Sequence, residues 1–190
     1  MADKKELIRI KDLAVMFCNI DSPNKWGNYD MTLVTNEKRL EEIIRLGMNE
    51  AKKAKFEENI PLTYLDPVSN KQQAVMSGDK PVMVRGYQVP WTPLTENELK
   101  ENPQLEGLIK LKTSSNFQPL TWIKDGGNTR RVEMEDRVEW RDAIVHIAVS
   151  LSSYTTNDSI KGIKLYLNQI MFVKPSGLNI KTSTQECAFD

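Results

Sequence analysis

The chain has 190 residues, its 26 Lys and Arg balanced by 26 Asp and Glu, with one His and two Cys. That length suits one domain able to bury its own core, and zero net charge removes any global electrostatic argument for a polyanionic partner, which would need a local concentration of bases. Two cysteines without a CxxC or Cys/His grouping point to a reducing compartment and away from structural zinc; the polar start MADKKE and the lack of a long apolar run point to a cytoplasmic protein without leader or membrane contact.

Residues 7–20 alternate, with Leu13, Val15 and Phe17 on one face and Asp12, Ala14, Met16 and Cys18 on the other, and stop at the turn cluster Asp21, Ser22, Pro23, Asn24. This predicts a first strand, and residues 29–34 a second. Asn36 then caps a helix in which Leu40, Ile43, Ile44, Gly47, Met48, Ala51 and Ala54 recur at helical spacing, the charged opposite face being solvated. Residues 59–103, carrying Pro61, Pro67, Pro81, Pro90 and Pro93, read as an insertion. Within it a short strand is expected at 82–89 and a helical turn at 95–100, where Thr95 and Glu98 form a capping box. Residues 107–114 and 117–124 read as strands, the second interrupted by Pro119, and Asp125, Gly126, Gly127 and Asn128 as a turn. Residues 132–138 fit helix or strand.

The best-patterned stretch is 140–174. Val145, Ile147, Val149 and Leu151 alternate with His146, Ala148, Ser150 and Ser152, and Ile163, Leu165 and Leu167 with Lys164, Tyr166 and Asn168. A long hairpin follows, with Tyr154 and Lys161 just outside its apolar runs. One helix among five or six strands fits a small antiparallel barrel, with a two-layer α+β sheet as the competitor.

Nothing in the chain supports an enzyme. His146 stands alone in an alternating strand, there is no P-loop, GxGxxG or GxSxG, and the acidic run Glu133, Glu135, Asp136, Glu139, Asp142 matches no metal loop. No cofactor is expected. Between Lys110 and Arg131, in contrast, Lys110, Lys112, Lys124, Arg130 and Arg131 face one acid, Asp125, and are interleaved with Phe117 and Trp122. Lysine and arginine attract phosphates, while aromatic rings stack unpaired bases without reading sequence. Trp122 is equally well explained as core, and Tyr154 with Lys161 and Lys164 is the stronger pairing.

The order of strand, GNYDMTLVTN, amphipathic helix, insertion, GLIKLKTSSNFQPLTWIKDGG, then VHIAVSLSSY and KGIKLYLNQIMFVK resembles the single-stranded DNA-binding proteins of T-odd coliphages and their relatives. The resemblance covers most of the chain. It implies an OB-fold over residues 1–182, a five-stranded barrel with one long helix after the second strand and the 59–103 insertion, followed by a short tail at 183–190. It further implies coating of single-stranded DNA without sequence preference in phage replication, recombination or repair, in the host cytoplasm. Tyr154 would stack bases, joined by Trp122 and Trp140, while Lys110, Lys112, Lys124, Arg130, Lys161 and Lys164 would meet phosphates. The family's long acidic tail, which recruits replication partners, is reduced here to Glu186, Phe189 and Asp190, leaving such recruitment and homo-oligomerisation open. The competing reading is a non-catalytic interaction or virion module on the same barrel, with the insertion as its contact surface.

Overall fold

The computed structural model describes residues 7–125, 128–132, 137–141, 143–174 and 177–179. In chain order they form β1 (Ile8–Asn19), β2 (Tyr29–Thr35), a 3-10 turn (Glu37–Leu40) leading into α1 (Glu41–Lys53), β3 (Trp91–Pro93), α2 (Glu96–Glu101), β4 (Ile109–Ser115), β5 (Leu120–Asp125), β6 (Asn128–Arg131), β7 (Ile144–Thr155) and β8 (Lys161–Lys174). Short strand pairs fill the insertion between α1 and β3, and Arg137–Glu139 pairs with Gly177–Asn179. The expected tail at 183–190 lies outside the described residues. Among those described, no helix is long and apolar enough to cross a membrane.

Eight strands hydrogen-bond in the order β6-β5-β8-β7-β1-β2-β4-β3, and an added contact between β4 and β8 closes β1, β2, β4, β8 and β7 into a ring. The closing contact is parallel, Ser114 against Tyr166. β5 also runs parallel to β8, Leu120 to Ile123 against Gln169 to Phe172. The expected antiparallel barrel thus has one mixed seam, because β8 is long enough to offer its first half to β4 and its second half to the β5–β6 hairpin. Mainly β, closed on five strands and with one long helix after the second, the chain is an OB-fold.

Period-2 patterning puts Met31 and Leu33, Leu111, Val145, Ile147 and Val149, and Leu165 and Leu167 inside the ring, all almost fully buried. Each such side chain contributes about 1.5–3 kcal/mol of transfer free energy. Leu40 and Ile43 of the 3-10 turn and α1 are buried in the same cluster, so the helix covers one mouth of the barrel. Asn36 caps it as the sequence indicates, its side-chain oxygen accepting from Arg39 N–H at 3.1 Å.

Bulges decide which faces the strands present. In β1 the register slips between Val15 and Phe17, so Cys18 and Ile20 continue the buried face while Phe17 turns outward, 48 % exposed. Strict alternation had put Phe17 beside Leu13 and Val15; one inserted residue reverses the faces beyond it. In β8 the slip opposite Ala148 and Val149 moves the buried face from Ile163, Leu165 and Leu167 to Ile170 and Phe172. The expected strand at 82–89 is also corrected. Only Met83–Val84 is a strand, pairing with Ile60–Pro61, and the piece that joins the barrel sheet is β3, along Ile109 to Leu111. The capping box at Thr95 and Glu98 is present and starts α2.

Candidate nucleic-acid interface

Residues that point away from the core on β2, β4 and β8 form the floor of a groove of about 670 Å³ on the barrel's outer face. Cross-strand register arranges them in rows. Phe17 lies opposite Thr32, and Thr32 opposite Lys112; Asp30 lies opposite Ser114, and Ser114 opposite Tyr166. Neighbouring strands are about 4.8 Å apart, so an aromatic, a hydroxyl and an ammonium succeed one another over roughly 10 Å. Lys164, two residues before Tyr166 and on the same face, holds its ammonium 4.8 Å from that ring's centroid.

The insertion supplies one wall. Gln88 N–H donates to the Lys161 carbonyl and the Gln88 carbonyl accepts from Ile163 N–H, both at 2.9 Å, while Lys112 N–H donates to the Pro90 carbonyl at 2.8 Å. Residues 88–90 therefore splice between β4 and β8 where the barrel seam opens. Against this wall stands Tyr154, its hydroxyl donating to Gln88 Oε1 at 2.9 Å. Partial burial raises the phenol above its usual range. Tyr154 is the second-last residue of β7, opposite Gly162, and not in the hairpin connection; a Cβ at Gly162 would come within 2.5 Å of the Tyr154 ring, so the ring lies flush on a position without a side chain.

Of the residues expected from sequence, Tyr154, Lys112 and Lys164 line this groove. Lys161 begins β8 next to Gln88, its ammonium 6.0 Å from the Phe56 ring. Trp140 packs edge-on against Phe17, ring centroids 6.2 Å apart, and so borders the groove from behind. The remaining ones lie elsewhere. Lys110 is buried, its ammonium 2.6 Å from Glu98 Oε1, and this contact, with the Thr95 cap, holds Glu98 down at about 2. Trp122 lines a separate apolar cleft of about 360 Å³ with His146, Ala148 and Met171. Lys124 is exposed on the neighbouring hairpin, and Arg130 lies across from the buried Ile123. Phe17, Tyr166 and Gln88 were missed: Tyr166 alternates with apolar residues and was legible as an outward side chain, but Phe17 needed the bulge and Gln88 the fold.

No protein-family profile matches the chain, and no curated protein matches it in sequence. Solved structures do match in shape. The single-stranded DNA-binding protein of bacteriophage Enc34 in complex with ssDNA superposes with a TM-score of 0.55 at 12 % identity over 90 % of this chain and 89 % of that one. Bacteriophage T7 gp2.5, also a single-stranded DNA-binding protein, gives 0.56 at 11 % identity, covering 91 % and 88 %. The chain shares the fold of phage single-stranded DNA-binding proteins. A second structure of the Enc34 protein matches over 97 % of this chain and 90 % of that one, with a TM-score of 0.54 at 12 % identity. These matches extend over nine-tenths or more of this chain.

Proposed function

We propose that the chain binds and coats single-stranded DNA, in phage replication, recombination or repair, without catalysis or cofactor. One observation carries the reading: the outer groove of this OB barrel sets Phe17, Tyr154 and Tyr166 among Lys112 and Lys164, on a fold it shares with a phage protein solved with ssDNA. Rings of this kind stack unpaired bases for about 1–3 kcal/mol each, and duplex DNA has no free base faces to offer them. Lys112, Lys164 and the neighbouring Lys161 neutralise phosphates along the path, Tyr154 and Tyr166 stack bases, and Trp140 supports Phe17 from behind. The test is fluorescence anisotropy of labelled oligo-dT at low salt against the same length of duplex. Micromolar or tighter binding to the single strand and a clear preference over duplex are expected; equal affinity for both would refute the reading.

A second reading draws on the insertion, where Leu65, Val68 and Met76 are among the exposed apolar side chains. An interaction module would use these hairpins, and would leave oligo-dT unbound.

A further inference from the structure

Beyond the groove floor, the most exposed aromatic rings of the described residues collect at one end of it. Trp26 is 72 % exposed and Phe117 82 %, and both sit on loops leaving the strands that carry Phe17, Asp30 and Ser114. A single exposed ring is ordinary, but two on hydrogen-bonded loops at the end of a ring-lined groove mark a contact surface.

Trp26 is held in a defined loop. The Asn24 side-chain oxygen accepts from Trp26 N–H at 2.9 Å and from Asn28 N–H at 3.1 Å, and Gly27 adopts the left-handed conformation (φ 79°) that the turn demands. Asn24 Nδ2 in turn donates to Asp30 Oδ2, a carboxylate of the groove lining, which ties the loop to the floor. The Lys25 ammonium rests 4.3 Å from the centroid of the Trp26 ring, so a cation and a π-face are offered together. The second loop joins the first. Phe117 N–H donates to Ser115 Oγ at 3.2 Å, Ser115 pairs with Tyr29, and Gln118 Nε2 donates to the Ile20 carbonyl at 3.3 Å.

We infer that Trp26 and Phe117 are base-stacking platforms that carry the single strand out of the groove past Phe17, with Lys25 meeting a phosphate between them. The inference rests on the single-strand reading above and extends its path over the loops. Stacking suits these rings because neither has apolar surroundings to return to, and a base adds the missing contact without a change of backbone. The strand then runs from Tyr154 and Gln88, over Lys112, Lys164 and Tyr166, to Phe17 and the two loops.

The experiment compares oligo-dT of about 4 and about 16 nucleotides, the span of site sizes for one OB fold, on the full chain and on Trp26→Ala, Phe117→Ala, their double variant and Tyr154→Ala. Wild type is expected to bind both lengths. Each loop substitution should weaken the long oligomer by about tenfold and the short one by less than about twofold, with thermal midpoints unchanged within about 2 °C, whereas Tyr154→Ala weakens both. Trp26→Ala should also remove a share of the tryptophan quenching seen on binding the long oligomer. Unchanged affinity of the double variant for the long oligomer, with Tyr154→Ala still impaired, would overturn the inference and leave the groove standing. Equal losses for both lengths would overturn the placement at the groove's end. Failure of wild type to bind either oligomer would overturn the single-strand reading and this inference with it.

Discussion

Tyr154 shows how a single residue is positioned by its neighbours. Its ring rests where Gly162 has no side chain, and its hydroxyl is anchored on Gln88, 66 residues away. Ring and hydroxyl separate by substitution: Tyr154→Phe should keep oligo-dT affinity within about threefold, while Tyr154→Ala should lose about tenfold, both read by anisotropy. Gly162→Ala tests the same site from the other strand. The added methyl drives the ring outward, so DNA affinity should fall about as far as in Tyr154→Ala, while the overpacking costs about 1 kcal/mol and lowers the thermal midpoint by roughly 2–4 °C. At this scale the sequence already turned Lys112 and Lys164 outward, by their register with the apolar residues of their strands, and set Tyr154 just outside the apolar run of β7, and all three line the groove. Phe17 escaped notice for the opposite reason: its face depends on a bulge that only the pairing with β2 reveals.

Among elements, the link between α2 and β4 carries a pH dependence. Glu98 is held at about 2, below its ordinary 4.5, by the Lys110 ammonium first and the Thr95 backbone next. A depressed carboxylate stabilises the fold above its unfolded value and loses that contribution as pH falls through its folded value. Stability should therefore decline between about pH 4.5 and pH 2, and Glu98→Gln should flatten that part of the acid denaturation curve while lowering stability at pH 7. Lys110 thus stabilises the start of β4; the strand alternation that made it look like Lys112 gives no sign that α2 folds over it. The β5–β6 hairpin makes a parallel point. It bears Trp122, Lys124 and Arg130, whose mixture of bases and rings reads in sequence as a binding segment, yet it docks on β8 beyond the barrel seam, with Trp122 in the apolar cleft beside His146. Trp122→Ala should cost about 1–3 kcal/mol of stability, measured in urea, and leave oligo-dT affinity within about twofold.

For the whole molecule, a formally neutral chain can hold a polyanion only through local placement. Lys112 and Lys164 in the groove give an expected slope of roughly −1.4 in log K against log salt, and each further lysine recruited along the strand adds about −0.7. A titration from about 50 to 200 mM salt reads this slope directly, and Lys112→Ala should reduce it by about 0.7. Periodicity alone carried the hairpin of β7 and β8, the first two strands, the capped helix and the order in which they follow one another, because burial demands an apolar side chain at every second residue of a half-buried strand and at every third or fourth of a helix. Order and spacing were enough to suggest the barrel. Pairing across the chain determined the rest: the parallel closure of β4 on β8, the bulges that turn Phe17 outward and exchange the faces of β8, and the use of residues 88–90 as a wall. None of these leaves a local trace, since each depends on which residue of a distant strand sits opposite, and it is this pairing that selects, from many exposed lysines and rings, the few that share one groove.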